Sequence, residues 1–121
     1  MSDVDNQGGD HAPANLQNLE QQFGPDTSKD LVRAYLDDTN EVLERMQEAI
    51  VSRDSKALKP LAHMLKSASR IVGATELSQY SRQLEDHCLD GQSQWLEIET
   101  LFDTFSASFK STTNYLRQYL Q

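Results

Sequence analysis

Three histidines are the first candidates in this sequence for nucleophilic attack or metal binding. His11 lies in the acidic N-terminal stretch, and we assign it no role. His87 precedes Cys88, the single cysteine, but a His-Cys pair lacks the two or more further ligands that a metal site needs at workable spacing. His63 is therefore the histidine whose neighbours suit a reaction.

His63 belongs to the polar side of an amphipathic helix. The apolar positions of that helix recur every three or four residues, so His63 falls on the opposite side and should face water. Polar neighbours share its side at helical spacing, namely Lys59, Lys66, Ser67 and Arg70. Residues 53–70 contain five Lys or Arg and one acid, a net +4 in a chain of net charge −8. A neutral imidazole here could act as a nucleophile, with the cations holding an anion on its nitrogen. The alternative is a solvated basic face.

Composition excludes several other classes of protein. A chain of 121 residues suits one domain, and 5 Gly and 3 Pro are too few for many short strands. The net charge of −8 repels phosphate backbones and anionic lipids, so we expect neither nucleic acid nor direct membrane contact. One cysteine forms no internal disulfide, and the acidic N-terminus lacks the basic and apolar regions of a signal peptide. A cytoplasmic protein is the resulting expectation.

The helices that must position His63 can be predicted from the spacing of apolar residues. After an acidic tail or linker at residues 1–14, every long segment has helical periodicity. The predicted helices are a short one around Leu16–Phe23 that ends at Gly24-Pro25, a long one from caps at 26–28 to about Arg53, and three more at about 55–72, 75–90 and 93–119. Pro60 predicts a kink or a late start near Leu58 in the third, and Gly73 and Gly91 are expected to end the third and fourth helices. Residues 15–121 are thus predicted to form an all-α, antiparallel four-helix bundle with an additional short N-terminal helix.

The segment Leu61–Leu77, LAHMLKSASRIVGATEL, resembles the signature of histidine-containing phosphotransfer (HPt) domains. The matching features are His63, Lys66 three residues later, the Gly73-Ala74 pair with Leu77 beyond it, and a Leu84-Glu85 pair further on. The resemblance covers roughly residues 15–120. One position departs from the pattern, because Ser67 stands where the family usually has a glycine that lets the partner approach closely.

The resemblance implies a phosphocarrier of a multistep His-Asp phosphorelay, either the HPt module of a hybrid sensor kinase or a free-standing shuttle. His63 would accept a phosphoryl group from a receiver-domain aspartate of a hybrid sensor kinase and pass it to an aspartate of a response regulator. Lys66 would lie beside that group and stabilise it. In this family Mg²⁺ belongs to the receiver, so we expect no cofactor in this chain and no autonomous kinase activity. The expected partner surface comprises Lys59, Met64, Ser67 and Arg70, and we expect a monomer.

A partner for the His63 ring can be predicted from the helical hairpin that follows it. If the third and fourth helices are antiparallel about Gly73-Ala74, Glu85 lies as far beyond the turn as His63 lies before it. Glu85, or failing it Gln83, is therefore a candidate to hold the ring nitrogen that is not phosphorylated. One other function remains open, a helical adaptor that carries no phosphate. A helical metal or redox protein is excluded, because the sequence offers too few ligands at workable spacing.

Overall fold

The computed structural model describes residues 12–88 and 94–121, and this part of the chain is helical without strands. None of its helices has the length and hydropathy required to cross a bilayer. The helical bundle fold predicted from the periodicity is confirmed. The helices are α1 (Leu16–Asp38), α2 (Val42–Val51), α3 (Ser55–Ile71), α4 (Thr75–Asp86) and α5 (Trp95–Leu120).

The first helix contains the predicted short N-terminal stretch. α1 is interrupted at Gly24, whose φ of 83° and ψ of 164° are open to glycine and strained for other residues. Pro25 follows, with a ring that suits the first position of the next helical stretch. The stretch begins with the Asn15 side chain, which accepts a hydrogen bond from the backbone N–H of Asn18 at 3.0 Å. Ala14, assigned to the tail from sequence, is 2% exposed and belongs to the core.

The prediction of one long helix up to Arg53 is wrong. α1 ends at Asp38, and α2 begins only at Val42. Thr39 lies between them. Its side-chain hydroxyl donates to the backbone carbonyl of Tyr35 at 2.7 Å, and its backbone N–H donates to the same carbonyl at 3.0 Å. Hydroxyl-to-backbone bonds of this kind compete with the helical pattern, and Asp and Asn residues nearby weaken it further. Together, α1 and α2 occupy the position expected for the single helix that was predicted to reach Arg53, because both pack against α5.

The predicted start of the third helix at about residue 55 is confirmed, and the late start near Leu58, one of the two effects expected of Pro60, does not occur. α3 begins at Ser55, because the Asp54 carboxylate accepts a hydrogen bond from the backbone N–H of Ala57 at 3.0 Å and caps the helix. Pro60 lies inside this helix. It removes one backbone donor, and the cap together with the buried face that includes Leu58 outweighs that loss.

A tight turn joins α3 to α4. Gly73 has a φ of 78°, and a Cβ added there would lie 3.1 Å from the backbone N and O of Asn15. Asn15 also donates its N–H to the Gly73 carbonyl at 3.0 Å. α4 ends at Asp86, four residues before the predicted boundary. That boundary, Gly91 and the predicted start of the last helix lie outside the described residues.

The core runs along the inner faces of all five helices. On α5, the rings of Phe102, Phe105 and Phe109 stack at centroid distances of 5.8 and 6.0 Å. Tyr35 of α1 reaches α3, where its hydroxyl lies 2.9 Å from that of Ser69. Burial raises the pKa of Tyr35 to about 12. The residues with no exposed surface include Val32, Met46, Leu58, Ala62, Leu65, Leu77, Leu84, Ile98, Phe105 and Leu116.

Candidate functional site

His63 projects from the outer face of α3. Its side chain is 60% exposed, whereas Ala62 and Leu65 of the same helix have no exposed surface. The periodicity of α3 therefore anchors the helix by one face and presents the imidazole on the other, as the sequence predicted.

Glu85 of α4 holds one side of this imidazole. Its Oε2 atom lies 2.7 Å from Nδ1 of His63, and the Glu85 side chain is only 13% exposed. The hairpin register thus brings Glu85 to the level of His63. Gln83 is not brought there, because it lines a different depression beside His87, where its backbone carbonyl lies 2.8 Å from Nδ1 of that histidine.

Lys66 is bound to the same carboxylate. Its Nζ donates to Oε1 of Glu85 at 2.8 Å, and its side chain is 23% exposed. The sequence placed Lys66 on an exposed face beside the phosphoryl group, but the structure shows it half-buried and paired with Glu85. The sequence spacing indicated that Lys66 lies near His63, because the two residues are one helical turn apart. That both would meet one carboxylate was missed.

The charge state of Glu85 decides which ring nitrogen is free. The hydrogen bond from Lys66 holds the pKa of Glu85 below its ordinary value, His63 lowers it further, and burial opposes both. An ionised carboxylate has no proton to donate, so Nδ1 of His63 must carry the hydrogen between them. In a neutral imidazole this leaves Nε2 with its lone pair. Nε2 is therefore the ring nitrogen that is free to form a new bond.

A groove of about 790 Å³ lies alongside His63 on the surface of α3. Two of its apolar residues are well exposed, Met64 at 37% and Ile71 at 55%. Arg70 is exposed on the same helix but does not line this groove. The lining residues are Lys59, Pro60, His63, Met64, Ser67, Ala68, Ile71 and Glu85. Of the partner surface predicted from sequence, the structure therefore brings together Lys59, Met64 and Ser67.

The second histidine makes contacts that suit a structural role. Nδ1 of His87 lies 2.8 Å from the Gln83 carbonyl, and Nε2 lies 3.3 Å from Oε1 of Glu97 on α5. Cys88 is buried, with its sulfur 3.3 Å from the Leu84 carbonyl. Among residues 12–88 and 94–121, no cluster of three or more His, Cys, Asp or Glu side chains could hold a metal ion. His11 lies outside the described residues.

The site is thus an exposed histidine on a helical bundle, held at one ring nitrogen and bordered by a groove with cationic and apolar residues. The family model for the Hpt domain matches residues 30–120. The chain belongs to this family and is an HPt domain of a phosphorelay, a class of phosphocarriers that interact with receiver domains. No curated protein and no solved structure matches the chain.

Proposed function

We propose that His63 is the phosphoryl acceptor, and that the chain takes the group from the aspartyl phosphate of one receiver domain and passes it to the aspartate of another. The observation that supports this is the 2.7 Å contact between Glu85 and Nδ1. It leaves Nε2 as the free nucleophile on a side chain that is 60% exposed. Lys66, through its charge, and Ser67, through its hydroxyl, are the other residues that we assign to this site.

The transfer follows from ordinary phosphoryl chemistry. The lone pair of Nε2 forms a bond to phosphorus while the bond between phosphorus and the aspartyl oxygen breaks, and the receiver carboxylate leaves with the electron pair. The ring keeps its proton at Nδ1 and becomes positively charged, so the Glu85 carboxylate stabilises it. The second transfer reverses these events on another receiver. Phosphoryl transfer depends mainly on positioning and charge neutralisation, and Mg²⁺ would be supplied by the receiver.

The groove beside His63 is the surface on which we propose that receivers dock. Protein interfaces commonly have an apolar centre and a polar rim. Met64 and Ile71 supply exposed apolar surface, and Lys59 supplies charge at its border. Arg70, exposed on the same helix, adds charge outside the groove.

Labelled phosphate on the protein tests the assignment. Incubation with a radiolabelled, phosphorylated receiver should give a label on this chain that is lost in acid and retained in alkali, as expected for a phosphohistidine. His63→Gln should abolish the label, and His87→Gln, the matched control, should retain it. Uptake by His63→Gln equal to that of the wild type would overturn the proposal. A receiver that binds without transferring label would instead identify a helical adaptor.

A further inference from the structure

We infer that Lys66 is a positioning residue that acts on phosphotransfer through Glu85, holding the carboxylate that fixes the His63 ring. This inference rests on the proposed role of His63 and assigns how Lys66 serves it. The alternative is that the Lys66 ammonium binds the phosphoryl group directly.

The first argument is the division of the Glu85 carboxylate. One oxygen, Oε2, lies 2.7 Å from Nδ1 of His63, and the other, Oε1, lies 2.8 Å from Nζ of Lys66. Two partners on two oxygens fix the rotation of the carboxylate plane as well as its position. The ammonium thus lies across the carboxylate from the ring nitrogen that carries the hydrogen.

The second argument is burial. Glu85 is 13% exposed, so solvent offers its carboxylate little compensation for a lost partner. Lys66 supplies the largest effect that keeps its pKa low. Without the ammonium, the carboxylate would lose its ionised form more readily and would be free to turn away from Nδ1. The free lone pair would then no longer be restricted to Nε2.

The third argument concerns the groove beside the ring. Lys59 and Ser67 line the groove with His63 at one turn before and one turn after it, whereas Lys66 does not line that groove. A direct contact from Lys66 to a phosphoryl group would require it to leave the 2.8 Å contact with Glu85. The geometry therefore pairs Lys66 with the Glu85 carboxylate and leaves the groove beside His63 to Lys59 and Ser67.

A double-mutant cycle distinguishes the two roles. The variants are Lys66→Met, which keeps the aliphatic stem, Glu85→Ala, and the pair together. Lys56→Ala is the matched control, because Lys56 is exposed on the same helix and does not line the groove. The measurements are the rate of phosphotransfer from a labelled receiver and the ¹⁵N shifts of the unphosphorylated His63 ring, which report its tautomer. Loss of one charge-assisted hydrogen bond predicts a rate lower by about ten- to a hundredfold in each single variant.

The expected result is that the double variant transfers no more slowly than Glu85→Ala alone. Lys66→Met should also shift the ring ¹⁵N signals towards a mixture of tautomers, Lys66→Arg should restore them, and Lys56→Ala should leave them unchanged. If Lys66→Met slows transfer by the same factor with and without Glu85, or leaves the tautomer unchanged, the inference is wrong and Lys66 acts directly. Failure of the proposed function can be distinguished from failure of this inference, because the His63→Gln variant would then still take up label.

Discussion

Replacement of Ile71 tests the docking groove because this side chain is exposed in the free protein. Ile71 lies at the end of α3 and is 55% exposed. Full burial of such a side chain contributes about 1.5–3 kcal/mol, so covering its exposed part under a receiver contributes about 1–1.5 kcal/mol. Alanine keeps part of this surface. Ile71→Ala should therefore lose about 1 kcal/mol of binding free energy, about a fivefold increase in Kd.

Calorimetric titration with a receiver whose acceptor aspartate has been replaced measures this change without phosphotransfer. Val51→Ala is the matched control, because Val51 is an aliphatic residue that is 72% exposed at the end of α2 and does not line the groove. Thermal unfolding of both variants should resemble that of the wild type, since neither side chain belongs to the core. Unchanged affinity for Ile71→Ala, or weaker binding for Val51→Ala alone, would refute the proposed docking surface.

Two further predictions concern the fold that carries the site. Tyr35 and Tyr119 both have a pKa raised from 10.0 to about 12, so the folded state is stabilised below pH 10 and loses that contribution as the pH rises towards 12. Tyr35→Phe should make the alkaline decrease in unfolding free energy smaller, as measured by denaturant titrations across this range; an unchanged pH dependence would contradict it. Gly73→Ala should lower stability by about 2 kcal/mol or more, because the positive φ and the close Asn15 backbone both oppose a Cβ; a melting temperature within a degree or so of the wild type would show that the turn adapts.

The bundle could be predicted from sequence because burial imposes a period on the chain. Phe102, Phe105 and Phe109 are spaced by three and four residues, and all three are buried. The interruption at Thr39 could not be predicted this way. Thr39 is 1% exposed, so the period of buried residues continues across the break. A local hydrogen bond from the Thr39 hydroxyl to the Tyr35 carbonyl helps to make that break.

For the site, the sequence predicted which residues lie at the same height on the two neighbouring helices, but not their side-chain contacts. The equal distances of His63 and Glu85 from the turn indicated that the two could meet, and their contact is 2.7 Å. The sharing of Glu85 with Lys66 depends on side-chain rotamers and on the burial between two helices. Residue spacing gives no information on rotamers or on burial between helices, so Lys66 was expected on an exposed face.

The α3–α4 hairpin links the fold to the proposed chemistry, because one turn sets the register of every residue in the site. Ser78 fixes that register a second time, since its hydroxyl donates to the Lys66 carbonyl at 2.8 Å. A slip of one residue along α4 would move Glu85 by about 1.5 Å along the helix axis and rotate it by about 100° around that axis. Either displacement is large compared with the tolerance of a hydrogen bond. Gly73, though it contacts neither His63 nor Glu85 directly, is therefore a determinant of which nitrogen of His63 keeps its lone pair.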